Sequence, residues 1–434
     1  MKRFTLHTMG CKSNQYEGSI IKNSLEKNGF MSDDNLVKSD IYILNSCSVT
    51  HKSDNEALYL IRNAKHKNPK ILTVLTGCFA QIEKENLLKD DCIDVVVGNN
   101  EKLFLGEFLK EYFMNPTSSN NILMSDIMER NEFTYTPIAD ISKTRASLKI
   151  QDGCNNRCSY CIIPFARGNS RSAASEFIID QVNTLVEYGF KEVVLTGIHI
   201  GLWGKEFNLT LLDLLKDIEN KTNISRYRLG SLYPNEIDDS LLNFLKKSDR
   251  FCPHFHLSLQ SACNKTLKSM NRHYKVEDYL YLIDKINNIF ENPFIGSDII
   301  VGFAGESEKD FDITYSNLQN SGLSQIHTFP YSVRRGTVGA DMSEQVEDSV
   351  KTLRADKVKL LSKKKYSKFV EKNIGSVKNL LVEKHPDKQS GFLKGVSDNY
   401  LTVMLNTKDE SYCNTFVNAR LTEYSSGILY GEII

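Results

Sequence analysis

An α/β fold in three parts follows from three patterns in the sequence. Short apolar runs alternate with amphipathic stretches in the first third, strand-like and helical runs alternate through the middle, and closely spaced β-rich runs close the chain. The expectation is an N-terminal open parallel α/β sheet over residues 1–114, a linker over 115–142, a central partial (β/α)6 barrel over 143–372, and a small C-terminal all-β barrel over 373–434.

Each element has its own signal. Residues 4–8, 41–45 and 71–76 are short apolar runs that read as buried strands. Between the first two, residues 16–28 place Ile20, Ile21 and Leu25 at helical spacing, and Gly29 follows as a stop. Alternation of this kind demands parallel pairing, because parallel strands need a crossover between them. Residues 115–121 are polar, hold turn formers and lack periodicity, so they read as a linker. Six strand-like runs follow at 146–151, 192–196, 226–231, 254–259, 295–301 and 325–330, with a clear amphipathic helix at 175–188. Six strands fall short of the eight that close a barrel, so an open one is expected, with chemistry at the carboxyl ends of its strands. Residues 350–372 are helical in pattern and carry nine Lys or Arg against Asp356 and Glu371. That stretch reads either as a solvated connector or as a track for nucleic-acid phosphates. The last β-rich runs are 378–383, 391–396, 400–405 and 416–421.

Composition narrows the class. Hydrophobic residues are 41% and charged residues 25% of 434, as in ordinary globular proteins. Lys+Arg and Asp+Glu are 54 each, so no global field draws the chain to nucleic acid or membrane, and any such binding has to be local. The first residues lack the apolar core of a leader and no run approaches a membrane span, which makes a cytoplasmic location the default expectation and a membrane partner none. Ten cysteines are too few for a disulfide scaffold in a chain of this length, so their positions carry the information.

Cys154, Cys158 and Cys161 form a CxxxCxxC loop just after a strand. A [4Fe-4S] cluster has four irons, so three thiolates leave one iron open. An open iron is suited to chelating the amino and carboxylate groups of S-adenosyl-L-methionine (SAM), whose sulfonium an electron from the cluster then cleaves. The alternatives are a structural zinc site, which normally shows a second Cys or His pair, and three coincidental thiols. Cys11, Cys47 and Cys78 each follow one of the first three strands, 36 and 31 residues apart. The carboxyl edge of an open parallel sheet is where ligands gather, so the fold would bring them together. Taken singly, each also reads as an ordinary buried cysteine.

Beyond these spacings, whole words resemble the radical SAM methylthiotransferase family. They are Gly10-Cys11-Lys12-Ser13-Asn14-Gln15-Tyr16-Glu17, Asn45-Ser46-Cys47-Ser48-Val49-Thr50 and Thr76-Gly77-Cys78-Phe79-Ala80-Gln81, then the CxxxCxxC loop with Ile162-Ile163-Pro164-Phe165-Ala166-Arg167-Gly168. Leu195-Thr196-Gly197-Ile198-His199-Ile200-Gly201, Ser258-Leu259-Gln260-Ser261 and Phe329-Pro330-Tyr331-Ser332 follow in the family's order. The first and fifth words look most like the branch that modifies N6-threonylcarbamoyladenosine beside the tRNA anticodon. The other branches act on isopentenyladenosine or on a ribosomal protein aspartate.

The resemblance implies a methylthiotransferase domain with an auxiliary [4Fe-4S] cluster on Cys11, Cys47 and Cys78, a radical SAM core with its own cluster, and an RNA-binding TRAM module. It implies that SAM cleavage yields a 5'-deoxyadenosyl radical that takes hydrogen from C2 of the adenine. A second SAM then methylates a sulfur on the auxiliary cluster, and the methylthio group passes to C2. The implied partners are the tRNA anticodon stem-loop, a reductant protein and a sulfur donor, the last two unidentified by the sequence. Thr196 and Gly197 at a strand end are candidates for the methionine part of SAM, Ser258 and Gln260 for its ribose, Tyr160 and Phe329 for its adenine. Asp298 is a further candidate cofactor contact and Arg334 a candidate substrate contact. Ala304, Ser307, Ala262 and Tyr233 depart from the family's usual words, and none is a cluster ligand. A non-catalytic iron-sulfur RNA-binding protein is the rival from another class.

Overall fold

The computed structural model describes residues 1–115, 121–136 and 143–434. Its first sheet has six parallel strands in the order Met31–Ser32, Arg3–Thr8, Ile41–Ser46, Leu72–Gly77, Val95–Val97, Ile122–Leu123. The helices Lys12–Lys27, His51–Lys67, Cys78–Leu87 and Leu105–Met114 supply the crossovers. Ile41 to Leu44 are all buried, as a parallel strand covered on both faces requires. From Arg3–Thr8 the chain runs outward to Met31–Ser32 and then returns to the other side for Ile41–Ser46, so the strand order reverses between these two neighbours. A crevice opens at the carboxyl ends of such a pair.

Part of the expected linker packs against the first sheet. Residues 116–120 and 137–142 lie outside the described residues, but Ile122–Leu123 pairs with Val96 and Val97 at the sheet edge, and Ile127 and Phe133 are buried. Apolar side chains scattered through a polar stretch gave the segment a reason to pack.

Six parallel strands follow in chain order: Ala146–Lys149, Glu192–Thr196, Arg226–Leu229, His254–Gln260, Phe294–Val301 and Gln325–Pro330. The first three form one sheet and the last three another, joined by a parallel bridge between Leu232 and Leu257. Among the described residues the outer strands Ala146–Lys149 and Gln325–Pro330 do not pair, so the barrel stays open on that side. Leu148, Val193, Leu195, Leu257, Ile295, Ile299 and Ile326 pack outward against the helices. Strand alternation then turns Ser147, Val194, His256, Asp298 and His327 into the lumen. His256 lies 3.2 Å from Asp298 Oδ1, and Ser231 Oγ is 3.0 Å from His256 Nδ1.

The basic stretch proves to be the helix Asp348–Glu371, and it covers the last barrel strand: Ile326 N donates to Ser362 Oγ at 2.9 Å. Four of its cations are engaged by protein, Lys359 by Asp356 of the same helix. Arg354 binds Glu306 and Glu308, Lys351 binds Asp348, and Lys365 donates to the carbonyls of Gln319 and Ser321. As a phosphate track the helix is reduced to its outer face.

The chain ends in a closed barrel of five strands, in the order Val377–Val382, Lys394–Ser397, Thr402–Leu405, Ile428–Ile433, Phe416–Ser425. It seats beneath the central lumen. Arg228 pairs with Glu192 and donates to the carbonyls of Ser397 and Asp398, Arg226 donates to Asn379, and the Tyr400 ring lies 4.2 Å from His254. No helix among the described residues is long and apolar enough to cross a membrane.

Candidate active site at the domain junction

The carboxyl edge of the first sheet meets the cysteine loop of the central barrel. Cys11 is the N-cap of Lys12–Lys27, Cys47 leaves Ile41–Ser46, and Cys78 opens Cys78–Leu87, so strand geometry gathers three residues that sequence separates. Cys47 and Cys78 are buried and Cys11 is exposed to solvent. Burial, then the neighbouring Cys78 and Cys11, push the Cys47 thiol up to about 11. Backbone approach is close here. Gly10 has φ +85°, and a Cβ on it would stand 2.7 Å from Cys47 Cβ and 2.8 Å from its Sγ. Gly10→Ala is expected to lower the melting stability of the metal-free protein by about 1–3 kcal/mol through clash and left-handed backbone strain; thermal denaturation followed by circular dichroism measures it.

The second trio lies in one loop. Cys154 and Cys158 are 7% exposed, and Cys161 N donates to Cys158 O at 3.0 Å. Burial pushes the Cys154 thiol up to about 11 and the Cys161 thiol up to about 12, and Cys158 adds to both. Six thiols in two groups, none in a disulfide, form a soft-donor set suited to iron. Among the described residues no three of His, Cys, Asp and Glu crowd closely enough to share one metal ion. A cubane spreads its thiolates over separate irons and asks for wider spacing.

Between the trios sits a buried ionic network. Glu17, 2% exposed, binds Lys102 at 2.5 Å, Lys149 at 2.7 Å and Arg167 at 2.5 Å. Asp152 binds Lys149 at 3.1 Å and Arg171 at 2.9 Å. Arg167 also donates through Nε to Cys78 Sγ at 3.3 Å, although it follows the other trio's loop in sequence. Its carrier, the short helix Ile163–Arg167, ends at Gly168, whose carbonyl accepts from Cys154 N.

Several expected cofactor residues do stand at barrel strand ends. Thr196 closes Glu192–Thr196 and is 4% exposed. Gly197 follows, where a Cβ would meet Gln151 O at 2.8 Å. Ser258 and Gln260 end the fourth strand, with Gln260 at φ 72°. Phe329 is 42% exposed near the last strand's end, and Tyr160 lies edge-on to Phe303 with centroids 6.5 Å apart. Asp298 sits deeper, mid-strand beside His256. Arg334 is placed differently from the expectation of a substrate contact. It is buried, pairs with Asp54 at 2.6 Å and donates to Ser48 Oγ at 2.7 Å, across the junction and next to Cys47.

Sequence reasoning gave no role to Arg272, Tyr233 or Glu236, Tyr233 being noted only as a departure from the family's words. Arg272 donates to Cys158 Sγ at 3.6 Å and to Ser258 O at 2.7 Å, and its guanidinium lies 3.8 Å over the Tyr233 ring. Tyr233 stacks on His199 at 4.0 Å; His199 lies 3.6 Å from Cys154 Sγ and pairs with Glu236. His199 belongs to a quoted word, but the other three stand far from the loop in sequence.

An open parallel six-stranded barrel with a CxxxCxxC loop at its strand ends defines a radical SAM protein. Residues 148–318 match the Radical SAM superfamily, and residues 3–98 match the uncharacterized protein family UPF0004. The threonylcarbamoyladenosine tRNA methylthiotransferase MtaB of Bacillus subtilis (strain 168) is 34% identical over 410 residues, covering 93% of this chain and 90% of that protein. A tRNA-2-methylthio-N(6)-dimethylallyladenosine synthase of Clostridium botulinum (strain Langeland) is 30% identical over 440 residues, covering 99% and 97%. The radical SAM methyltransferase TsrM of Kitasatospora setae, solved with cobalamin and a [4Fe-4S] cluster, shares the fold at a TM-score of 0.58 with 13% identity, over 78% of this chain and 76% of that one. The chain belongs to the radical SAM methylthiotransferase family. It is thus an enzyme that uses SAM and a [4Fe-4S] cluster.

Proposed function

We propose that the enzyme methylthiolates C2 of N6-threonylcarbamoyladenosine beside the tRNA anticodon, with one [4Fe-4S] cluster on Cys154, Cys158 and Cys161 and a second on Cys11, Cys47 and Cys78. The observation that carries this reading is the meeting of two cysteine trios at one junction, bridged by Arg167. When bound, the clusters and SAM supply the electron, the hydrogen-abstracting group and the methylated sulfur. The chain's own residues bind and orient. Thr196, Gly197, Ser258 and Gln260 hold the polar parts of SAM at the strand ends, while Tyr160 and Phe329 flank its adenine. Arg272 and His199, each within 3.6 Å of a cysteine sulfur, fix the loop's orientation and offer positive charge or a donor to its thiolates. Arg334 positions the Cys47 loop through Ser48 and Asp54. The C-terminal barrel, a TRAM-like module, binds the RNA backbone. The similarity to MtaB relatives over most of the chain supports the choice of base.

The deciding experiment supplies reconstituted enzyme with SAM, a strong reductant and tRNA carrying threonylcarbamoyladenosine. Mass spectrometry of digested nucleosides is expected to show the 2-methylthio form. Methylthiolation of isopentenyladenosine tRNA alone, or release of no 5'-deoxyadenosine, overturns the reading.

A further inference from the structure

A cavity of about 640 Å³ opens between the inner face of the central barrel and the C-terminal barrel. Its size suits a modified nucleobase. Ser147 and Val194 reach it from the first two barrel strands, and Tyr400 closes it from the C-terminal barrel. Tyr400 is held there at φ 69°, with its ring against His254 and the Arg228 guanidinium 5.2 Å away. A bulky residue in the left-handed region persists only where its surroundings fix it, so this wall is preorganised.

One cation enters from the other domain. Lys12, the residue after Cys11, lines the cavity and is exposed. Among the described residues its ammonium makes no hydrogen bond or ion pair, whereas the two nearby guanidiniums are matched. Arg145 binds Glu383 at 2.8 Å, and Arg228 binds Glu192 at 2.7 Å. An unmatched ammonium beside satisfied ion pairs is placed to take an oxyanion from outside the chain.

Resting on the base assignment above, we infer that Lys12 is a specificity-determining residue that pairs with the carboxylate of the threonylcarbamoyl arm. The arm lies along Val194 and Tyr400, and the carboxylate is held next to the cysteine that carries the first trio. A phosphate of the RNA backbone is the other oxyanion source. The two make different demands: a carboxylate on the base ties affinity to the modification, and a phosphate does not.

The test measures binding of the reconstituted enzyme to three anticodon stem-loops bearing threonylcarbamoyladenosine, its methyl ester, or unmodified adenosine. Wild type is expected to prefer the acid over the ester by roughly tenfold to a hundredfold, the range of one charge-assisted contact. Lys12→Met and Lys12→Gln are expected to erase that preference, and Lys12→Arg to restore part of it. Iron content and circular dichroism establish that each variant is folded and loaded. Equal affinity of wild type for acid and ester overturns the inference without any variant. An equal loss on all three stem-loops in Lys12→Met also overturns it, because it assigns Lys12 to backbone phosphate. Absence of methylthio product from wild type with the acid form counts against the base assignment alone, since the acid-over-ester comparison is read from binding.

Discussion

Glu17→Gln is expected to cost about 3–5 kcal/mol of stability, the range for removing one partner of a buried charge cluster. Glu17 is the shared anion of Lys102, Lys149 and Arg167. With Asp152 it faces four buried cations, Arg171 being the fourth, so cations already outnumber anions by two. The substitution keeps the side chain's shape and raises that excess by one, inside protein where desolvation is severe. Burial opposes ionisation of Glu17, but Arg167, Lys102 and Lys149 overcome it and hold the carboxyl well below the usual range. A depressed folded-state pKa gives stability that is fully present above the ordinary glutamate value of about 4.3. That stability is lost as pH falls through the folded value. Urea denaturation at neutral pH should therefore show the full deficit, and the wild-type advantage should shrink in strong acid. Glu26→Gln, which disturbs only the exposed Lys22 pair at 3.9 Å, is the control and should change stability by less than about 1 kcal/mol. Comparable losses in the two variants would mean that the network contributes nothing as a network.

Cys158→Ala is expected to abolish release of 5'-deoxyadenosine, and Cys78→Ala to preserve it while abolishing methylthio transfer. The asymmetry follows from position. Cys158 is one of three thiols in a loop with no cysteine to spare, and its loss also leaves Arg272 without its sulfur partner. Cys78 belongs to the other trio, where Arg167 holds it 3.3 Å away. Each variant is expected to bind about four irons after reconstitution against about eight for wild type. Iron analysis paired with chromatography of SAM products checks both halves. Loss of 5'-deoxyadenosine in Cys78→Ala with iron retained on the loop would defeat the division of labour.

The strands and the placement of the cysteines were legible in the sequence for a physical reason: apolar runs between helical patterns announce parallel strands, and a CxxxCxxC loop is local. The six barrel runs fall within two residues of the observed strands. What escaped was short or remote. Met31–Ser32, Val95–Val97 and Ile122–Leu123 are too brief to carry a period, and Ile428–Ile433 closes the final barrel from a segment that reads as a chain end. The Glu17 network was invisible although its word was noticed, because Lys149 and Arg167 stand 132 and 150 residues away. The pairing of Arg334 was hidden for the same reason. A buried arginine is recognised by its carboxylate, and Asp54 lies 280 residues upstream.

Arg167 has one further consequence. Its backbone belongs to the short helix that follows the loop of one trio of thiols, its Nη1 is locked to the first helix through Glu17, and its Nε touches the other trio. A single rigid side chain therefore works as a calliper jaw between the two centres. Drawing them apart requires giving up the charged contact with Glu17 and the sulfur contact with Cys78 at once, inside a region sealed from water. The proposed transfer, from a centre on one trio to a base activated at the other, needs that gap held constant, and here it is built into a residue rather than left to the packing of two domains.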